Sequence, residues 1–530
     1  MNKSDKNRNY LVVIFEIIII ILGIVGITLA TTKLLNDRTV TNLKTDEYNV
    51  DYQGDKDIVI EKLEPIDDEK INIGTHDNVI RLEFSLKGVS TNKKNDIIYD
   101  IMLSDMNIDC SLLNKYTKWN LYKNGKLLTT GSLDPQFDGN VLSDNMRLTL
   151  KQEDLPKYNE ESDKYVLIFW ISESCDDLLT CELIDQSDIV NSKMSMKVFI
   201  VLYTGAKKNY YRIPNYDTSC ANKPELYGNM IGVSYKNGNF VVANTDNSTK
   251  ENMWYDYGKQ VWANAVVVRD KSKYREIGTV INNSDVLGYY VWIPRYKYKL
   301  WNATDEVTDS YNAYDNGIDI TFSTGIDDNS SNSYENNTYI THPAFKNNKG
   351  FWISKYEISK NGQDYLFLPN MTAYQNDTID NYKNILINLS NSYKLGDKAE
   401  SRMVNNLDWG ATLYLSHSKY GVCNGDGCNS ISVNDTYVAG NNKQDTVTRN
   451  VYGVYDMAGA SSEYVLGNST IGSATKEVFL ANGDTWNQGH SLVSNRNYLL
   501  RGGIGSSIFY FGEIGINSTL ISTRGVIEAK

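Results

Sequence analysis

The stretches YVLIFWIS, residues 165–172, and VFIVLYTG, residues 198–205, are apolar runs of the length that buried β-strands have. Apolar and polar residues alternate along residues 82–86, as in a strand with one buried face. An Asn-Gly pair at residues 124–125 is typical of a hairpin turn. No helical pattern competes with these signals. Residues 56–205 are therefore predicted to form an antiparallel β-sandwich without catalytic chemistry.

The sequence changes in character after residues 206–226, which are predicted to be a linker. Tryptophan-rich strands are predicted within residues 254–301, and the Asn-, Asp- and Ser-rich range 302–337 is predicted to be a solvated insertion. One amphipathic helix is predicted from Met403 to His417, because its apolar residues recur at helical spacing. Short strands, large loops and a helix together predict an irregular α+β domain at residues 227–530.

The N-terminal part of the chain contains a long apolar run. Residues 11–30, LVVIFEIIIIILGIVGITLA, would match as a helix the roughly 30 Å hydrocarbon core of a membrane. Basic residues before this run predict that the N-terminus is cytoplasmic. The chain would then be a single-pass protein of the cell membrane whose later domains are displayed outside the cell. A cleaved signal peptide is the alternative. The predicted segments are a cytoplasmic tail at residues 1–9, a transmembrane anchor at 10–33 and a polar stalk at 34–55.

The overall charge bears on the class of partner. The chain has 53 basic and 65 acidic residues and a formal net charge of −12. Such a chain repels a phosphate backbone unless a local basic patch intervenes, and the sequence contains no such patch. Nucleic acid is therefore not an expected partner.

Six cysteines are consistent with an oxidising location outside the cell. Two pairs enclose short loops and are candidate disulfides: Cys175 with Cys181, and Cys423 with Cys428. The sequence does not decide whether Cys110 and Cys220 pair or remain free. Zinc binding is the competing interpretation, and it is disfavoured because the pairs lack CxxC spacing and the chain has only four histidines.

Five segments of the later domain resemble, in order, the motifs of one protein family. They are GFWISKYEIS (350–359), DWGATLYLSHSKYG (408–421), NVYGVYDMAGASSEYV (450–465), Arg501-Gly502-Gly503 and STRGVI (522–527). Together they resemble the sulfatase-modifying-factor, or formylglycine-generating-enzyme-like, superfamily, which includes bacterial surface and phage-tail display proteins. The resemblance implies an elaborated C-type-lectin fold. The predicted fold class is thus an N-terminal transmembrane helix, an all-β sandwich domain and an α+β C-type-lectin-like domain.

The resemblance also implies a calcium site. In the enzymes of the family, the segment that matches DMAGASSE coordinates Ca²⁺. Carried over by position, Asp456 and Glu463 would supply carboxylates, and Gly459 and Ser461 would supply backbone carbonyls. Calcium prefers six to eight oxygen ligands, so further oxygens would be needed. The alternative is that Asp456 and Glu463 cap turns or pair with Arg501.

Catalysis is not expected from the motifs present. The enzymes of the family oxidise a substrate cysteine with a copper-binding cysteine pair that follows the RGG motif. No cysteine lies between Arg501 and Lys530, and Cys423 and Cys428 precede the NVYGVYD motif. No copper is therefore expected. The histidines fall in no catalytic motif, whereas the many carboxylates leave a glycosidase open.

The ligand face of a C-type-lectin-like fold is formed by long loops late in the sequence. Exposed aromatic residues beside polar groups in these loops would suit sugar rings or protein hot spots, although burial of Trp486 in the core is an equal alternative. The predicted ligand-binding residues are Asp484, Trp486, Tyr498, Arg501 and Tyr510.

These features favour a membrane-anchored bacterial surface protein whose second domain binds an extracellular glycan or protein without catalysis. One alternative is a surface enzyme, either a formylglycine-generating-type oxidase or a hydrolase. The other is a structural component of a surface fibre, for which Glu16 in the apolar run and the predicted β-sandwich are the hints.

Overall fold

The computed structural model divides the chain into two compact units, Met1–Arg212 and Ile213–Lys530. Each unit is described by itself below. The structure describes residues 41–530 apart from 45–47, 55–56, 62–63, 91–96, 109–111, 113–115, 134–147, 155–160, 174–192, 205–216, 218, 248–249, 300–316, 324–338, 346–347, 424–430, 441, 468–497, 504, 507–510 and 514–519.

The described part of the first unit contains two antiparallel sheets. The strands are β1 (Thr41–Lys44), β2 (Tyr48–Gly54), β3 (Asp57–Glu61), β4 (Ile80–Ser90), β5 (Ile97–Ile108), β6 (Thr117–Lys123), β7 (Lys126–Ser132), β8 (Leu148–Asp154), β9 (Asp163–Ile171) and β10 (Lys193–Thr204). One sheet has the strand order β1-β2-β4-β9-β6-β7, and the other has the order β3-β10-β5-β8.

Side chains from both sheets of the first unit meet in one apolar core. Leu82 and Phe84 of β4 pack in the same cluster as Ile101 of β5 and Trp119 of β6. The predicted strands at residues 82–86, 165–172 and 198–205 fall in β4, β9 and β10. The predicted hairpin turn is confirmed, because Asn124 and Gly125 both have positive φ and join β6 to β7.

The second unit contains several sheets and two α-helices in its described part. The strands are β11 (Met230–Lys236), β12 (Asn239–Val242), β13 (Asn264–Val268), β14 (Val286–Pro294), β15 (Tyr296–Lys299), β16 (Asp319–Phe322), β17 (Ile340–Thr341), β18 (Gly350–Ser354), β19 (Ser359–Asn361), β20 (Asp364–Leu366), β21 (Ala399–Met403), β22 (Gly459–Leu466), β23 (Tyr498–Gly503), β24 (Phe511–Glu513), β25 (Ile521–Ser522) and β26 (Gly525–Ala529). The helices are α1 (Ile379–Ser392) and α2 (Asn406–Ser416).

The largest sheet of the second unit has the order β12-β11-β13-β14-β18-β26-β21. The last strand of the chain, β26, therefore lies between β18 and β21. A second sheet has the order β24-β23-β22-β25, in which β22 and β25 are parallel. A core rich in tryptophan, including Trp254, Trp292 and Trp352, packs against the large sheet.

Two ranges predicted to be irregular contain strands. The predicted stalk, residues 34–55, contains β1 and β2, and β2 pairs along its whole length with β4. Its sequence alternates Tyr48, Val50 and Tyr52 with polar residues, which is a strand pattern. The predicted insertion at 302–337 contains β16, whose Ile320 and Phe322 are buried. Short runs of alternating apolar residues thus form strands even inside polar segments.

The helices differ from the prediction in two ways: one begins later than predicted, and the other was not predicted. The predicted helix at Met403–His417 begins later, as α2, because the Asn405 side chain accepts from the Asp408 amide and forms a capping box. Helix α1 was missed because its sequence is rich in Asn and Ser. Its buried face, Tyr382, Ile385, Leu386 and Leu389, nevertheless has helical spacing.

The predicted fold class is wrong. It placed a transmembrane helix before a β-sandwich and an α+β domain, whereas strands dominate both described units and α1 and α2 are the α-helices observed there. Among the described residues, no helix is long and apolar enough to cross a membrane. The predicted tail at residues 1–9 and anchor at residues 10–33 lie outside the described residues.

Part of the predicted linker, residues 206–226, belongs to the second unit. Asp217 is 6% exposed and accepts hydrogen bonds from the Ser219 hydroxyl and from the Tyr257 amide at 3.0 Å. The Asn222 amide group donates to the carbonyls of Ser323 and Lys349. Burial raises the pKa of Asp217 to about 7, even though the hydrogen bonds from Ser219 and Tyr257 favour its charged carboxylate.

The cysteine predictions are partly resolved. Cys423, one member of a predicted pair, is disulfide-bonded, and so is Cys220, whose state the sequence left open. None of the cysteines in the described part of the chain is free. Cys110, Cys175, Cys181 and Cys428 lie outside the described residues.

The substitution Asp217→Asn is expected to flatten the pH dependence of stability. A carboxyl group whose pKa is raised on folding stabilises fully below its unfolded value, near 3.8, and this contribution is lost as the pH rises through about 7. Asparagine stays neutral and keeps the Oδ1 acceptor. The melting temperature of the variant, followed by tryptophan fluorescence, should rise relative to wild type between pH 4.5 and 8. The exposed Asp397→Asn variant is the control, and parallel pH profiles for wild type and Asp217→Asn would contradict the assignment.

Candidate functional site

The segment predicted to bind calcium, DMAGASSE at residues 456–463, lies in the interior of the second unit. Asp456, Gly459 and Ala460 all have positive φ, so the chain turns sharply before it continues along β22. A Cβ atom on Gly459 would lie 2.3 Å from the carbonyl oxygen of Asn434, so the close approach of these backbones requires glycine. Asp456, Ser461 and Glu463 are fully buried.

Glu463 forms an ion pair with Arg524, and both side chains are fully buried. The Arg524 Nε atom donates to both carboxylate oxygens at 3.0 and 2.8 Å, and Nη2 donates to Oε1 at 2.6 Å. The guanidinium also donates to the carbonyls of Ser354 and Tyr455. These contacts compensate for the desolvation of both charges.

Glu357, from the GFWISKYEIS motif, lies close to this ion pair. Its Oε1 atom accepts from the Ser461 amide at 2.9 Å. Burial, followed by the nearby Glu463 carboxylate, raises the pKa of Glu357 well above its usual range. Burial also raises the pKa of Asp456 and of Glu463, although Arg524 opposes the rise for both. We call Glu357, Asp456, Glu463 and Arg524 the buried charge cluster.

The oxygens in this cluster do not fit the implied calcium site. Both Glu463 oxygens accept from Arg524, and the two Asp456 oxygens accept from the Asn434 side chain and the Gly440 amide at 2.9 Å each. Across the described residues, no three His, Cys, Asp or Glu side chains are grouped so that they could hold a metal ion. The guanidinium of Arg524 supplies the positive charge beside Glu463.

The alternative pairing of Glu463 with Arg501 is not what the structure contains. The two residues face each other in the register of β22 and β23. The Arg501 guanidinium instead lies 5.4 Å from the ring centre of Trp409 and donates to the Asn406 side chain. Arg501, predicted to contact a ligand, is fully buried in this conformation.

The remaining predicted ligand residues divide into two groups. Tyr498 is half-buried on β23, and the Lys383 amino group lies 6.0 Å from the centre of its ring. Asp484, Trp486 and Tyr510 lie outside the described residues.

Tyr498 belongs to a larger set of residues, and the sequence did not indicate the other members of that set. Tyr365, Tyr374, Tyr464 and Tyr498 are half-buried, and the amino group of Lys360 lies 4.9 and 5.2 Å from the ring centres of Tyr365 and Tyr374. The ring centres of Tyr365 and Tyr374 are 5.5 Å apart, and the buried Tyr382 links Tyr374 to Tyr464 at 5.9 and 6.1 Å. We define the tyrosine surface as the side chains of Lys360, Tyr365, Tyr374, Lys383, Tyr464 and Tyr498.

Local structure holds these rings in place. Lys360 and Tyr365 face each other across the β19–β20 hairpin. The Tyr374 amide donates to the Ile358 carbonyl at 2.7 Å, and its hydroxyl donates to Asp377 at 2.8 Å. The hydrogen bond to Asp377 raises the pKa of the Tyr374 hydroxyl.

One contact ties the tyrosine surface to the buried charge cluster. The side chain of Gln375, next to Tyr374, donates to the Ser461 hydroxyl at 2.7 Å. The Ser461 amide in turn donates to Glu357. The position of Tyr374 therefore depends on the packing of the interior segment.

Breaking the ion pair is expected to destabilise the second unit strongly. Arg524→Met should lower the free energy of unfolding by about 3–5 kcal/mol, because it leaves the Glu463 carboxylate buried without its partner. The control is Arg269→Met, since Arg269 forms an exposed ion pair with Asp364 and its loss should cost less than about 1 kcal/mol. Urea unfolding followed by tryptophan fluorescence measures both, because seven of the nine tryptophans follow residue 212. An equal loss of the free energy of unfolding in the two variants would contradict this prediction, because the buried pair would then stabilise no more than the exposed pair.

Calcium is expected to stabilise the protein no more than magnesium does. The carboxylate oxygens of Asp456 and Glu463, which were implied as ligands, already accept hydrogen bonds from Arg524, Asn434 and Gly440. Thermal unfolding in EDTA, then with each ion at equal concentration, tests this expectation. A rise in melting temperature that is specific to Ca²⁺ and absent in Asp456→Asn would establish a metal site despite this arrangement.

A comparison with models of known protein families finds no match for this sequence, and a comparison with curated proteins finds none either. The geometry of the second unit, together with the sequence motifs, is therefore the basis for a functional proposal.

Proposed function

We propose that the second unit is a non-catalytic binding domain, displayed outside the cell, that binds an extracellular glycan or protein through the tyrosine surface. The observation that carries this proposal is the group of half-buried tyrosine rings flanked by two lysines. Tyrosine offers a large apolar face together with a polar hydroxyl, and it is frequent at binding sites for this reason.

Preorganisation of the rings supports the proposal. Tyr374 is fixed by hydrogen bonds from its amide and from its hydroxyl. The neighbouring Tyr382 hydroxyl donates to the carbonyls of Tyr374 and Ile521 at 2.9 and 3.0 Å. Side chains that are already ordered lose little conformational entropy when a ligand binds. A fixed array of rings is therefore a better binding surface than the same residues on an unconstrained loop.

Two further observations support display outside the cell. Cys220 and Cys423 are each part of a disulfide bond, and disulfides persist mainly in oxidising compartments. The ordered motifs of the second unit resemble those of bacterial surface and phage-tail display proteins, and we infer a relationship to the formylglycine-generating-enzyme-like superfamily on those residues.

Among the residues that the structure describes, the ionisable groups of the second unit with strongly shifted pKa values do not favour a catalytic role over binding. The groups with the most perturbed pKa values in the second unit include Lys355 and Glu357, which are at most 2% exposed. A substrate does not reach their atoms in this conformation. The Lys355 amino group contacts the Asn264 side chain and the Val451 carbonyl within the core.

The double variant Tyr365→Ala/Tyr374→Ala is expected to weaken ligand binding at least tenfold, or about 1.4 kcal/mol, because it removes two adjacent rings. Full-length protein is screened on glycan and extracellular-protein arrays, and the hits are measured by calorimetry. The control is Tyr339→Ala, since Tyr339 is also half-buried and its hydroxyl donates to Asp319. Equal weakening by the control, or no ligand for a correctly folded wild type, would contradict the proposed function.

A further inference from the structure

We propose that Asn361 is a site of spontaneous deamidation, in which its side-chain carboxamide becomes a carboxylate. Asn361 is the last residue of β19 and is followed by Gly362 at the turn of the β19–β20 hairpin. The same hairpin carries two members of the tyrosine surface, Lys360 and Tyr365. The modification itself does not depend on the proposed binding function, so the two can fail separately.

The reaction uses the peptide bond after the asparagine, and water. The backbone nitrogen of Gly362 attacks the Cγ atom of Asn361, and the new N–Cγ bond closes a five-membered imide ring. The Cγ–Nδ2 bond breaks, and Nδ2 leaves as ammonia together with the proton of the attacking amide. Water then opens the ring at either carbonyl, which gives aspartate or isoaspartate. Glycine favours the attack because it has no Cβ atom to obstruct the backbone nitrogen.

Three of the Asn-Gly pairs in the sequence lie in the described part of the chain, at residues 124–125, 237–238 and 361–362. A lysine precedes each of them, so the three share the sequence Lys-Asn-Gly. Both residues of every pair are exposed. A Cβ atom added to any of the three glycines meets no described residue beyond its chain neighbours within 4 Å. Local sequence and access to water therefore do not distinguish the three asparagines.

Hydrogen bonding of the asparagine side chain does distinguish them. The Asn124 side chain is held at both ends, because Nδ2 donates to Asp163 Oδ1 and Oδ1 accepts from the Lys164 amide, each at 2.8 Å. Among the described residues, no hydrogen bond involves the side chain of Asn361 or of Asn237. The Asn361 carboxamide is therefore free to rotate toward the next backbone nitrogen, whereas Asn124 must first break two hydrogen bonds.

Deamidation of Asn361 changes its hairpin in two ways. Asn361 faces Asp364 across the two strands, and carboxylates directly opposite each other destabilise the pairing. Isoaspartate also adds one carbon to the main chain, which disturbs the register that places Lys360 opposite Tyr365. The same change at Asn237 falls in the β11–β12 hairpin, which contributes no residue to the tyrosine surface. Of the two free asparagines, Asn361 is thus the one whose modification alters that surface.

The test follows the three asparagines in full-length protein that is incubated at mildly alkaline pH and then mapped by peptide mass spectrometry. Deamidation is read as a mass increase of the peptide and as isoaspartate in its fragments. In the folded protein, Asn361 and Asn237 should deamidate about tenfold faster than Asn124, because two hydrogen bonds hold Asn124 back. In urea the three rates should become equal, since the local sequences match.

Two variants make the test specific. Asp163→Ala removes the acceptor of Asn124 Nδ2, so it should speed deamidation of Asn124 and leave Asn361 unchanged. Asn361→Gln is the matched control, because its longer side chain forms a less favourable six-membered ring, and it should show no mass increase at this position. An Asn361 that is modified in urea but not in the folded protein, or that reacts no faster than Asn124 when folded, would overturn the inference. If the melting curve shows that Asp163→Ala is unfolded, the comparison of folded and urea-treated wild type decides.

Discussion

The buried ion pair between Arg524 and Glu463 is the constraint on which the second unit depends. Two opposite charges in a fully desolvated interior are tolerated only when their hydrogen-bonding groups are also satisfied. Arg524 meets this condition by donating to the carbonyls of Ser354 and Tyr455 as well as to the carboxylate. The ion pair therefore fixes the start of β26 against β18 and β22 at once, and it places the last strand of the chain inside the large sheet.

The tyrosine surface follows from this interior arrangement. Ser461 lies two residues before Glu463, its amide donates to Glu357, and its hydroxyl accepts from Gln375. Tyr374 is therefore positioned by the same polar contacts that hold the strands together. A binding surface built on such a network is rigid without metal ions or ligands, since its order comes from packing and hydrogen bonds already present in the free protein.

Local patterns in the sequence predicted individual strands and turns better than they predicted which side chains contact each other in the fold. The apolar runs that became β9 and β10, and the Asn124-Gly125 turn, depend on neighbouring residues alone. The partner of Glu463 does not, because Arg501 and Arg524 both lie late in the chain and tertiary packing decides between them. Both Glu357 and Arg524 were inside recognised motifs, yet their roles became clear from the fold. Of the tyrosine surface, the sequence indicated Tyr498 alone, since Tyr365, Tyr374 and Tyr464 meet through α1 and the β19–β20 hairpin.

Charged groups in the interior of the second unit require hydrogen-bonded partners, whereas those on its surface do not. Inside, Arg524 forms an ion pair with Glu463, and burial raises the pKa of the Glu357 and Asp456 carboxyl groups because a further negative charge would be poorly solvated there. At the surface, Lys360 is exposed and Lys383 is half-buried, so neither charge requires an internal partner. A charge neutralised within the core contributes to stability and not to recognition. The rings and amino groups of the tyrosine surface are the groups that a ligand can reach, and the proposed binding role rests on them.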